Sequence, residues 1–271
     1  ELLSRLDSVR RAAPHRLRFV RVASGRLESD EMDRLEAAFG VPVIAALAST
    51  ECGTVALQEL APDRRTRGSV GRPLASEIRV VDDRGNDVAR GQAGELLVRG
   101  PQVFDGYLDD ADANTADFVD GWFRMGDLGR FDEGGELHLV GRVKEVINRG
   151  GEKISPGAID PVMRAVPGVA DAAAFGVPHP RLGEEVVAAV VRTPAGGCAA
   201  DDVVDAVRTR LGARAAPRHV WFVDRLPRND AGKLQRAVLA QRYAAEHPAA
   251  LPTRASAGAR TPLEIALAGL W

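Results

Sequence analysis

The chain has 271 residues, enough for one large domain or two ordinary ones, and its 36 basic and 38 acidic residues give a net charge of −2. This balance does not favour nucleic acid or an anionic membrane as a partner. Because Cys52 and Cys198 form no CxxC pair, and the sequence has neither a signal peptide nor an apolar run near the ~20 residues of a membrane span, we expect a cytoplasmic protein without disulfides or a zinc site.

The first predicted elements are a helix and a strand between residues 29 and 45. Ser29 can cap the helix and Gly40 can end it. A short apolar strand follows at residues 41–44. The apolar face of the helix consists of Met32, Leu35 and Phe39.

From about residue 67 the apolar residues alternate with a period of two, which is typical of strands. Strands are predicted at residues 77–81 and 95–99, with a turn rich in Asp and Gly at residues 82–86. A hairpin is predicted at residues 131–140. These short strands and tight turns predict a barrel-like or sandwich layer.

After residue 140 helices alternate with strands. Ser155 and Pro156 predict a helix start, since serine caps helices and proline is tolerated in the first turn. A second helix is predicted at residues 202–211, ending at Gly212. Its predicted buried residues are Val203, Val204, Val207 and Leu211, and those of the first helix are Ile159, Val162, Met163 and Val166. Further strands are predicted at residues 170–177, 186–191 and 219–223, which completes a small α/β or α+β domain.

The end of the chain changes character twice. Residues 244–260 are rich in Ala, Pro, Arg and Ser without apolar periodicity, which predicts a linker. Residues 261–271 become amphipathic again, as if another helix began there.

Two segments carry side chains suited to binding a nucleotide. Ser49-Thr50-Glu51 follows a short strand, and a hydroxyl and a carboxylate there can hold a phosphate and its Mg²⁺, although most such tripeptides are ordinary turns. Asp127 lies in the Gly-bounded segment 121–128 and can accept both hydroxyls of a ribose, although turn capping is the ordinary role of such an aspartate.

Two further segments are basic and contain glycine. Residues 141–156 include Gly150 and Gly151, and a loop so rich in glycine can approach a ligand closely. Residues 227–236 present Lys233 just after a glycine. Exposed cations of this kind are usually solvated surface, so neither segment is informative by itself.

In this order and spacing, the four segments together resemble the adenylate-forming superfamily. That superfamily includes acyl-CoA and aryl-CoA ligases, luciferases and the adenylation domains of nonribosomal peptide synthetases. The resemblance covers nearly the whole chain. Three shorter motifs fall between the catalytic segments as the family would have them, namely residues 68–73 (GSVGRP), Gly94-Glu95-Leu96 and Gly106-Tyr107.

The resemblance implies a mixed fold, α/β and α+β. Residues 1–143 would be the β-rich C-terminal part of a large adenylation domain, and residues 144–243 a small mobile α+β domain. After the linker at residues 244–260, residues 261–271 are similar to the start of a phosphopantetheine carrier domain. A plain C-terminal helix is the alternative for that last segment.

For the nucleotide, the resemblance implies four binding residues. Thr50 would contact the AMP phosphate and Glu51 would hold Mg²⁺. Asp127 would bind the ribose hydroxyls, with Arg142 nearby.

For the two half-reactions, the resemblance implies a second set of residues. Lys233 would bridge the substrate carboxylate and the nucleotide during adenylation. Lys144 would be the hinge about which the small domain turns. Gly150, Gly151 and Lys153 would belong to the loop that approaches the pantetheine arm.

The implied activity is the ATP- and Mg²⁺-dependent conversion of a carboxylic acid to acyl-AMP, followed by transfer to a phosphopantetheine thiol of CoA or of a carrier domain in cis. The segment at residues 148–156 (NRGGEKISP) looks like acyl-CoA ligases rather than amino-acid adenylation domains. We therefore expect a non-amino substrate, such as a fatty, aryl or small dicarboxylic acid.

Two departures from the family pattern leave an alternative open. Leu47 and Ala48 stand where the family usually has an aromatic residue and a glycine, and the family's phosphate loop would lie upstream of Glu1. We therefore expect the chain alone to be inactive. A non-catalytic docking or interaction domain of a modular synthase is the alternative function, but a scaffold has no physical need for the retained catalytic residues. These are Glu51, Asp127, Arg142 and Lys233.

Overall fold

The computed structural model describes residues 16–23, 27, 29–194, 196–230 and 232–248. Contacts within the chain divide it into two units, residues 1–144 and residues 145–271. The carrier start predicted at residues 261–271, and the predicted linker from residue 249 onward, lie outside the described residues.

The first unit consists mainly of two sheets. Its helices are α1 (Ser29–Phe39) and α2 (Ala111–Asp117). One sheet has the order β1-β2-β3-β4, and its strands are β1 (Val20–Val22), β2 (Val43–Ser49), β3 (Gly53–Leu57) and β4 (Arg72–Pro73). The other has the order β5-β6-β8-β7, with β9 paired to β8, and its strands are β5 (Glu77–Val81), β6 (Gly94–Arg99), β7 (Phe118–Val119), β8 (Trp122–Phe131) and β9 (Leu137–Arg142).

The two sheets of the first unit share one core. Buried residues of both sheets form a single apolar cluster, as expected for a sandwich-like layer. The cluster includes Leu47, Cys52, Val55 and Ala56 from the first sheet and its turn, and Val80, Leu96, Val98, Phe123 and Leu137 from the second.

The motif at residues 68–73 joins the two sheets at a close backbone approach. Gly71 has φ +87°, and a Cβ atom there would lie 2.0 Å from the carbonyl carbon of Leu57. The Leu137 amide of β9 donates to the Gly71 carbonyl at 2.8 Å. Only glycine fits this position, so the motif has a structural role in addition to any functional one.

The second unit is one sheet with helices on both faces. Its helices are α3 (Pro156–Arg164), α4 (Ala200–Leu211) and α5 (Arg236–Glu246). Its strands are β10 (Ile147–Arg149), β11 (Glu152–Ile154), β12 (Val169–His179), β13 (Gly183–Arg192) and β14 (His219–Phe222). The sheet order is β11-β10-β13-β12, and β14 pairs in parallel with β13.

Two apolar clusters lie on alternate residues of β12 and β13. One cluster contains Ala172 and Ala174 with residues of α3 and α4, among them Ile159, Met163, Val203 and Val207. The other contains Ala173 and Phe175 with Leu239 and Tyr243 of α5. Since neighbouring strand residues point to opposite faces, α3 and α4 cover one face and α5 covers the other. This arrangement confirms the predicted mixed fold class.

Most predicted elements are present, with changed bounds. α1 ends at Phe39 before Gly40, which has φ +66°, as predicted. The strand predicted at residues 41–44 begins at Val43 and continues to Ser49. Ser155 precedes α3, but its side chain makes no capping hydrogen bond, because the Ala158 amide donates to the Ser155 carbonyl instead.

The prediction was wrong at the ends of two helices. Leu211, predicted to be buried, is 39% exposed, because it is the last residue of α4. Residues 244–246, predicted to belong to a linker, are the last three residues of α5. The preceding residue of this helix, Tyr243, is buried against Phe175. None of the helices in the described part of the chain has the length and apolarity that a bilayer span requires.

Glu36 fixes α1 to the first sheet. Its carboxylate accepts hydrogen bonds from the Val43 amide at 2.9 Å, from Arg65 at 2.7 Å and from Arg67 at 2.8 Å. Burial acts to raise the pKa of Glu36, but these donors outweigh it and lower the pKa from 4.5 to about 2.

We expect Glu36→Gln to destabilise the first unit at neutral pH, because Arg65 and Arg67 lose their shared anion. A carboxyl group whose pKa is lower in the folded state stabilises the fold above its unfolded pKa, near 4.5, and this contribution is lost as the pH falls to about 2. The difference in amide hydrogen exchange of β2 between variant and wild type should therefore shrink over that range. Glu59→Gln, which removes an exposed pair with Arg64, is the control. A difference that stays constant with pH would contradict this assignment.

Candidate functional site

The turn between β2 and β3 presents Thr50 and Glu51. It is tight, because Ser49 ends β2, Gly53 begins β3, and Gly53 has φ +60°. The Glu51 carbonyl accepts a hydrogen bond at 2.8 Å from the amide of Phe104, a residue of the segment between β6 and α2. Thr50 is exposed and Glu51 is half-buried, so both side chains are available to a ligand while the backbone is held in place.

The Glu51 carboxylate is kept ionised by its surroundings. A hydrogen bond from Ser49 is the largest effect that lowers its pKa, and burial opposes it. The Tyr107 hydroxyl, whose oxygen lies 3.4 Å from Oε1, and the positive charge of Arg142 lower the pKa further. Glu51 is therefore an anion at neutral pH, as a cation ligand must be.

Tyr107 is held in position by the start of α2. Its amide donates to Asn114 Oδ1 at 2.7 Å, and Asn114 Nδ2 donates to its carbonyl at 2.9 Å. The Asp110 side chain caps α2 by accepting from the Ala113 amide. Sequence reasoning recognised Gly106-Tyr107 as a motif but did not include Tyr107 among the site residues. Its contact with Glu51 joins residues 56 positions apart, which no local sequence pattern records.

Asp127 and Arg142 form a cross-strand ion pair. They are register partners in the antiparallel pairing of β8 with β9, and Arg142 Nε lies 3.0 Å from Asp127 Oδ1. The Asp127 side chain is 9% exposed, whereas that of Arg142 is 57% exposed. A buried carboxylate beside an exposed guanidinium can accept hydrogen bonds from hydroxyl groups of a ligand.

The first unit brings four of the predicted residues to one place. The positive charge of Arg142 lowers the pKa of Glu51. Burial is the main cause that raises the pKa of the Cys52 thiol, and the negative charges of Glu51 and Asp127 raise it further. These electrostatic effects indicate that Glu51 is near the ion pair of Asp127 and Arg142, and Thr50 is next to Glu51 in the turn.

The donor set at this centre suits Mg²⁺. Magnesium prefers one or two carboxylates together with phosphate oxygens, and Glu51 supplies one ionised carboxylate. Within the described residues, no group of three or more His, Cys, Asp or Glu side chains could hold a metal ion unaided.

In the second unit, Gly150 and Gly151 form the two-residue turn between β10 and β11. Their φ values are +61° and +85°, which such hairpin turns require at both positions. The Gly150 amide donates to the Leu182 carbonyl at 2.7 Å. Lys153 is exposed on β11, opposite Asn148.

Charged residues on either side of the glycine turn hold the β10–β11 hairpin to the rest of the unit. Arg149 forms an ion pair with Glu185 at 2.6 Å and donates to the Arg214 carbonyl at 2.6 Å. Arg214 in turn pairs with Glu152. These contacts fix the position of the Gly150-Gly151 turn, whose backbone carries no side chains.

Lys233 lies on a second hydrogen-bonded turn, after α4 and β14. Asn229 closes this turn, because its amide donates to the Lys233 carbonyl at 2.9 Å and its side chain accepts from the Lys233 amide at 2.8 Å. Arg228 donates to the Gly232 carbonyl at 3.0 Å and pairs with Asp171 at 2.8 Å. The Lys233 side chain is exposed on this fixed backbone.

Lys144 occupies a short 3₁₀ turn, Val143–Glu145, and is exposed. The division between the two units falls directly after it. The predicted site residues are therefore distributed over both units. Those of the second unit are Gly150, Gly151, Lys153 and Lys233.

Family models match both parts of the chain. The model for the AMP-binding enzymes matches residues 2–108, and the model for the C-terminal domain of AMP-binding enzymes matches residues 158–233. The first match includes Thr50 and Glu51, and the second ends at Lys233.

The similar curated proteins are CoA ligases. A probable CoA ligase of Humulus lupulus is 42% identical over 233 residues, which are 85% of this chain and 44% of that protein. An oxalate–CoA ligase of Arabidopsis thaliana is 40% identical over 230 residues, which are 84% of this chain and 45% of that protein. The chain thus spans less than half the length of these relatives.

Solved structures of similar fold include nucleotide and adenylate complexes. MatB from Rhodopseudomonas palustris with ATP bound has a TM-score of 0.77 and 35% identity, covering 82% of this chain and 45% of that chain. The o-succinylbenzoate CoA synthetase of Bacillus subtilis in complex with its acyl-adenylate intermediate has a TM-score of 0.76 and 30% identity, covering 88% of this chain and 49% of that chain.

The pKa of Glu51 provides a test of the site geometry on the chain itself. Ser49→Ala should raise this pKa more than Tyr107→Phe does, because the hydrogen bond from Ser49 is the largest stabilising effect and the tyrosine contact is longer. NMR titration of the Glu51 side-chain carboxyl carbon measures both shifts. Glu133→Gln, an exposed change in the turn between β8 and β9, is the control. Equal pKa values in wild type and Ser49→Ala would show that Ser49 does not donate to Glu51.

Proposed function

The chain belongs to the AMP-binding enzyme family, and from this premise we propose that the protein containing it activates a non-amino carboxylic acid with ATP and passes the acyl group to a phosphopantetheine thiol. The observation that carries the proposal is the joint placement of Glu51, Asp127 and Arg142. Glu51 is an ionised carboxylate suited to Mg²⁺, and Asp127 is a buried carboxylate that can accept hydrogen bonds from hydroxyl groups.

In the first half-reaction, a carboxylate oxygen of the acid attacks the α-phosphorus of ATP. The bond from that phosphorus to the β-phosphate oxygen breaks, and pyrophosphate leaves. This step brings anions together, so positive charge must be placed where negative charge develops. Bound Mg²⁺ would supply such charge on the phosphates, held by Glu51. Thr50 would contact the α-phosphate, and the ammonium of Lys233 would bridge the acid and the nucleotide.

Asp127 orients the nucleotide in this proposal. Its buried carboxylate accepts hydrogen bonds from the two ribose hydroxyls, and Arg142, whose Nε lies 3.0 Å from Oδ1, holds it in position. An anchored ribose restricts the α-phosphate to the position where the acid can reach it.

In the second half-reaction, the thiol sulfur attacks the acyl carbon. The bond between that carbon and the AMP oxygen breaks, and the thiol proton is released to water. A Cβ atom at Gly151 would meet nothing within 4 Å, which leaves room beside the backbone for the pantetheine arm, whereas one at Gly150 would lie 3.4 Å from Leu182. Lys153, exposed on the same hairpin, would attract phosphate groups of the thiol carrier.

The two half-reactions need different groups at the same acyl-adenylate. Lys233 and the Gly150-Gly151 hairpin both belong to the second unit. We propose that this unit presents them in turn by rotating about Lys144. The position of Lys144 at the division between the units supports this role.

The relatives support CoA as the acceptor and a non-amino acid as the substrate. Two oxalate–CoA ligases, from Arabidopsis thaliana and Saccharomyces cerevisiae, are 40% and 39% identical to the chain, and a sulfoacetate–CoA ligase of Cupriavidus necator is 40% identical. Oxalate and sulfoacetate are small acids with a second anionic group. Acids of that class come first in the substrate panel, and a carrier domain in cis is the second acceptor to test.

A non-catalytic docking domain is the competing function. Its support is Leu47, which stands at the position of the family's aromatic residue and is 6% exposed in the core of the first unit. A docking domain would not require the ion pair of Asp127 or the ionised Glu51.

We expect the full-length protein to catalyse acid-dependent ATP–pyrophosphate exchange with at least one non-amino acid of the panel. Asp127→Ala should raise the KM for ATP about 10-fold or more, because each charge-assisted hydrogen bond contributes roughly 1.5–3 kcal/mol. Asp87→Ala removes a mostly exposed carboxylate of the same unit and should leave the KM unchanged. An intact protein without exchange on any acid would favour the docking domain.

Two variants should separate the half-reactions. Lys233→Ala should slow adenylation about 10²–10³-fold, as expected for the loss of one charge-stabilising donor, while thioester formation from supplied acyl-adenylate persists. Lys144→Pro should do the reverse, because proline fixes φ at the proposed hinge. Rates of both half-reactions are measured for each variant and wild type. Equal losses of both half-reactions in each variant would exclude the rotation.

A further inference from the structure

β12 is an edge strand, and one of its residues has both backbone groups bound by side chains. Among the strands of the described residues, β12 pairs only with β13, and Ala174 lies opposite Ala188. The Ala174 amide donates to Asp160 Oδ1 at 2.8 Å, and the Ala174 carbonyl accepts from Arg236 Nη1 at 2.8 Å. Peptide groups on a sheet edge need such partners when they are removed from water.

The two side chains that bind Ala174 also bind each other. Arg236 Nη2 lies 2.6 Å from Asp160 Oδ2, and the two side chains are 13% and 7% exposed. Asp160 belongs to α3 and Arg236 is the first residue of α5, so the pair connects helices that cover opposite faces of the sheet.

A third contact connects Arg236 to the beginning of the unit. Arg236 Nε lies 2.9 Å from a carboxylate oxygen of Glu145, the residue directly after Lys144. The guanidinium thus binds Glu145, Ala174 and Asp160 through three different nitrogens, Nε, Nη1 and Nη2, whereas a lysine ammonium carries all its donors on one nitrogen.

Arg236 is also directly connected to the turn that carries Lys233. Only Leu234 and Gln235 separate the two residues, and the Gln235 amide donates to the Pro227 carbonyl at 2.9 Å on the other side of that turn. A shift of Arg236 therefore moves both ends of the Lys233 turn.

We propose that Arg236 is a positioning residue for adenylation. It fixes the Lys233 turn with respect to Glu145, so that rotation about Lys144 sets the position of the Lys233 ammonium. This inference rests on the proposed function only where Lys233 acts on the substrate. The mechanical part, in which Arg236 orders the turn, concerns the chain by itself.

A purely structural role makes a different prediction. If Arg236 only stabilised the second unit, its replacement would weaken the whole sheet, and both half-reactions would fall together. If it positions Lys233, adenylation falls while the Gly150-Gly151 hairpin remains intact. That hairpin is held by separate contacts of Arg149 and Leu182.

The test uses Arg236→Lys, which keeps the charge and removes the fork. In the full-length protein, we expect kcat for ATP–pyrophosphate exchange to fall about 10–100-fold, because the Lys233 ammonium would be displaced by about 1 Å. The KM for ATP should be unchanged. Thioester formation from supplied acyl-adenylate should keep its wild-type rate. Arg208→Lys, in an exposed pair with Asp205 of the same unit, is the control and should change neither rate.

Hydrogen exchange of the 271-residue chain gives a readout without catalysis. Arg236→Lys should speed amide exchange at least 10-fold at Asn229, Gly232 and Gln235, while Val187 and Ala189 of the central strand stay protected. Glu145→Gln is a milder second variant that leaves the Asp160 pair intact, and it should give the same pattern about 3–10-fold weaker.

Two results would overturn the proposal. One is equal loss of both half-reactions together with faster exchange throughout β12 and β13, which would make Arg236 purely structural. The other is unchanged exchange in the Lys233 turn. If the wild-type protein lacks pyrophosphate exchange, the proposed function fails, but hydrogen exchange still decides whether Arg236 orders the turn.

Discussion

An ion pair at the open edge of the sheet in the second unit joins α3 and α5, the helices on opposite faces of that sheet. Asp160 accepts a hydrogen bond from the Ala174 amide, and Arg236 donates one to the Ala174 carbonyl. The two side chains also pair with each other and so join α3 to α5 at the edge of the sheet. Buried ion pairs are weak evidence for stability, but removal of one partner is costly, because the other charge remains buried. Both faces of the sheet are thereby coupled, so α5 and the Lys233 turn before it cannot move independently of α3.

In the first unit, hydrogen bonds between the two sheets hold the turn that carries Glu51. The turn with Glu51 belongs to one sheet, but its carbonyl is held by Phe104 and its carboxylate by Tyr107, which lie after β6 of the other sheet. Asp127 and Arg142 come from neighbouring strands of that other sheet. Thr50 and Glu51 thus lie on a short turn, Asp127 lies within β8 and Arg142 ends β9, while the shared core beneath them fixes their spacing.

The resemblance of four short segments to a known family predicted the family and the fold class. Periodicity and turn residues, which act over a few positions, predicted most elements. α5 was missed, because its buried side chains are only Leu239 and Tyr243 among alanines and polar residues, and its partner Phe175 is distant in sequence. The roles of Tyr107 and Arg236 were missed for the same reason. Their partners, Glu51 and Asp160, are 56 and 76 residues away, and no short motif records such contacts.

The close backbone approach at Gly71 distinguishes residues required for folding from residues required only for activity. A side chain at residue 71 would collide with the Leu57 backbone, so any descendant that still folds must keep glycine there, whatever its activity. Thr50 is exposed, and the fold places no comparable demand on it. In a lineage that had lost catalysis, residue 50 would drift freely while residue 71 stayed fixed.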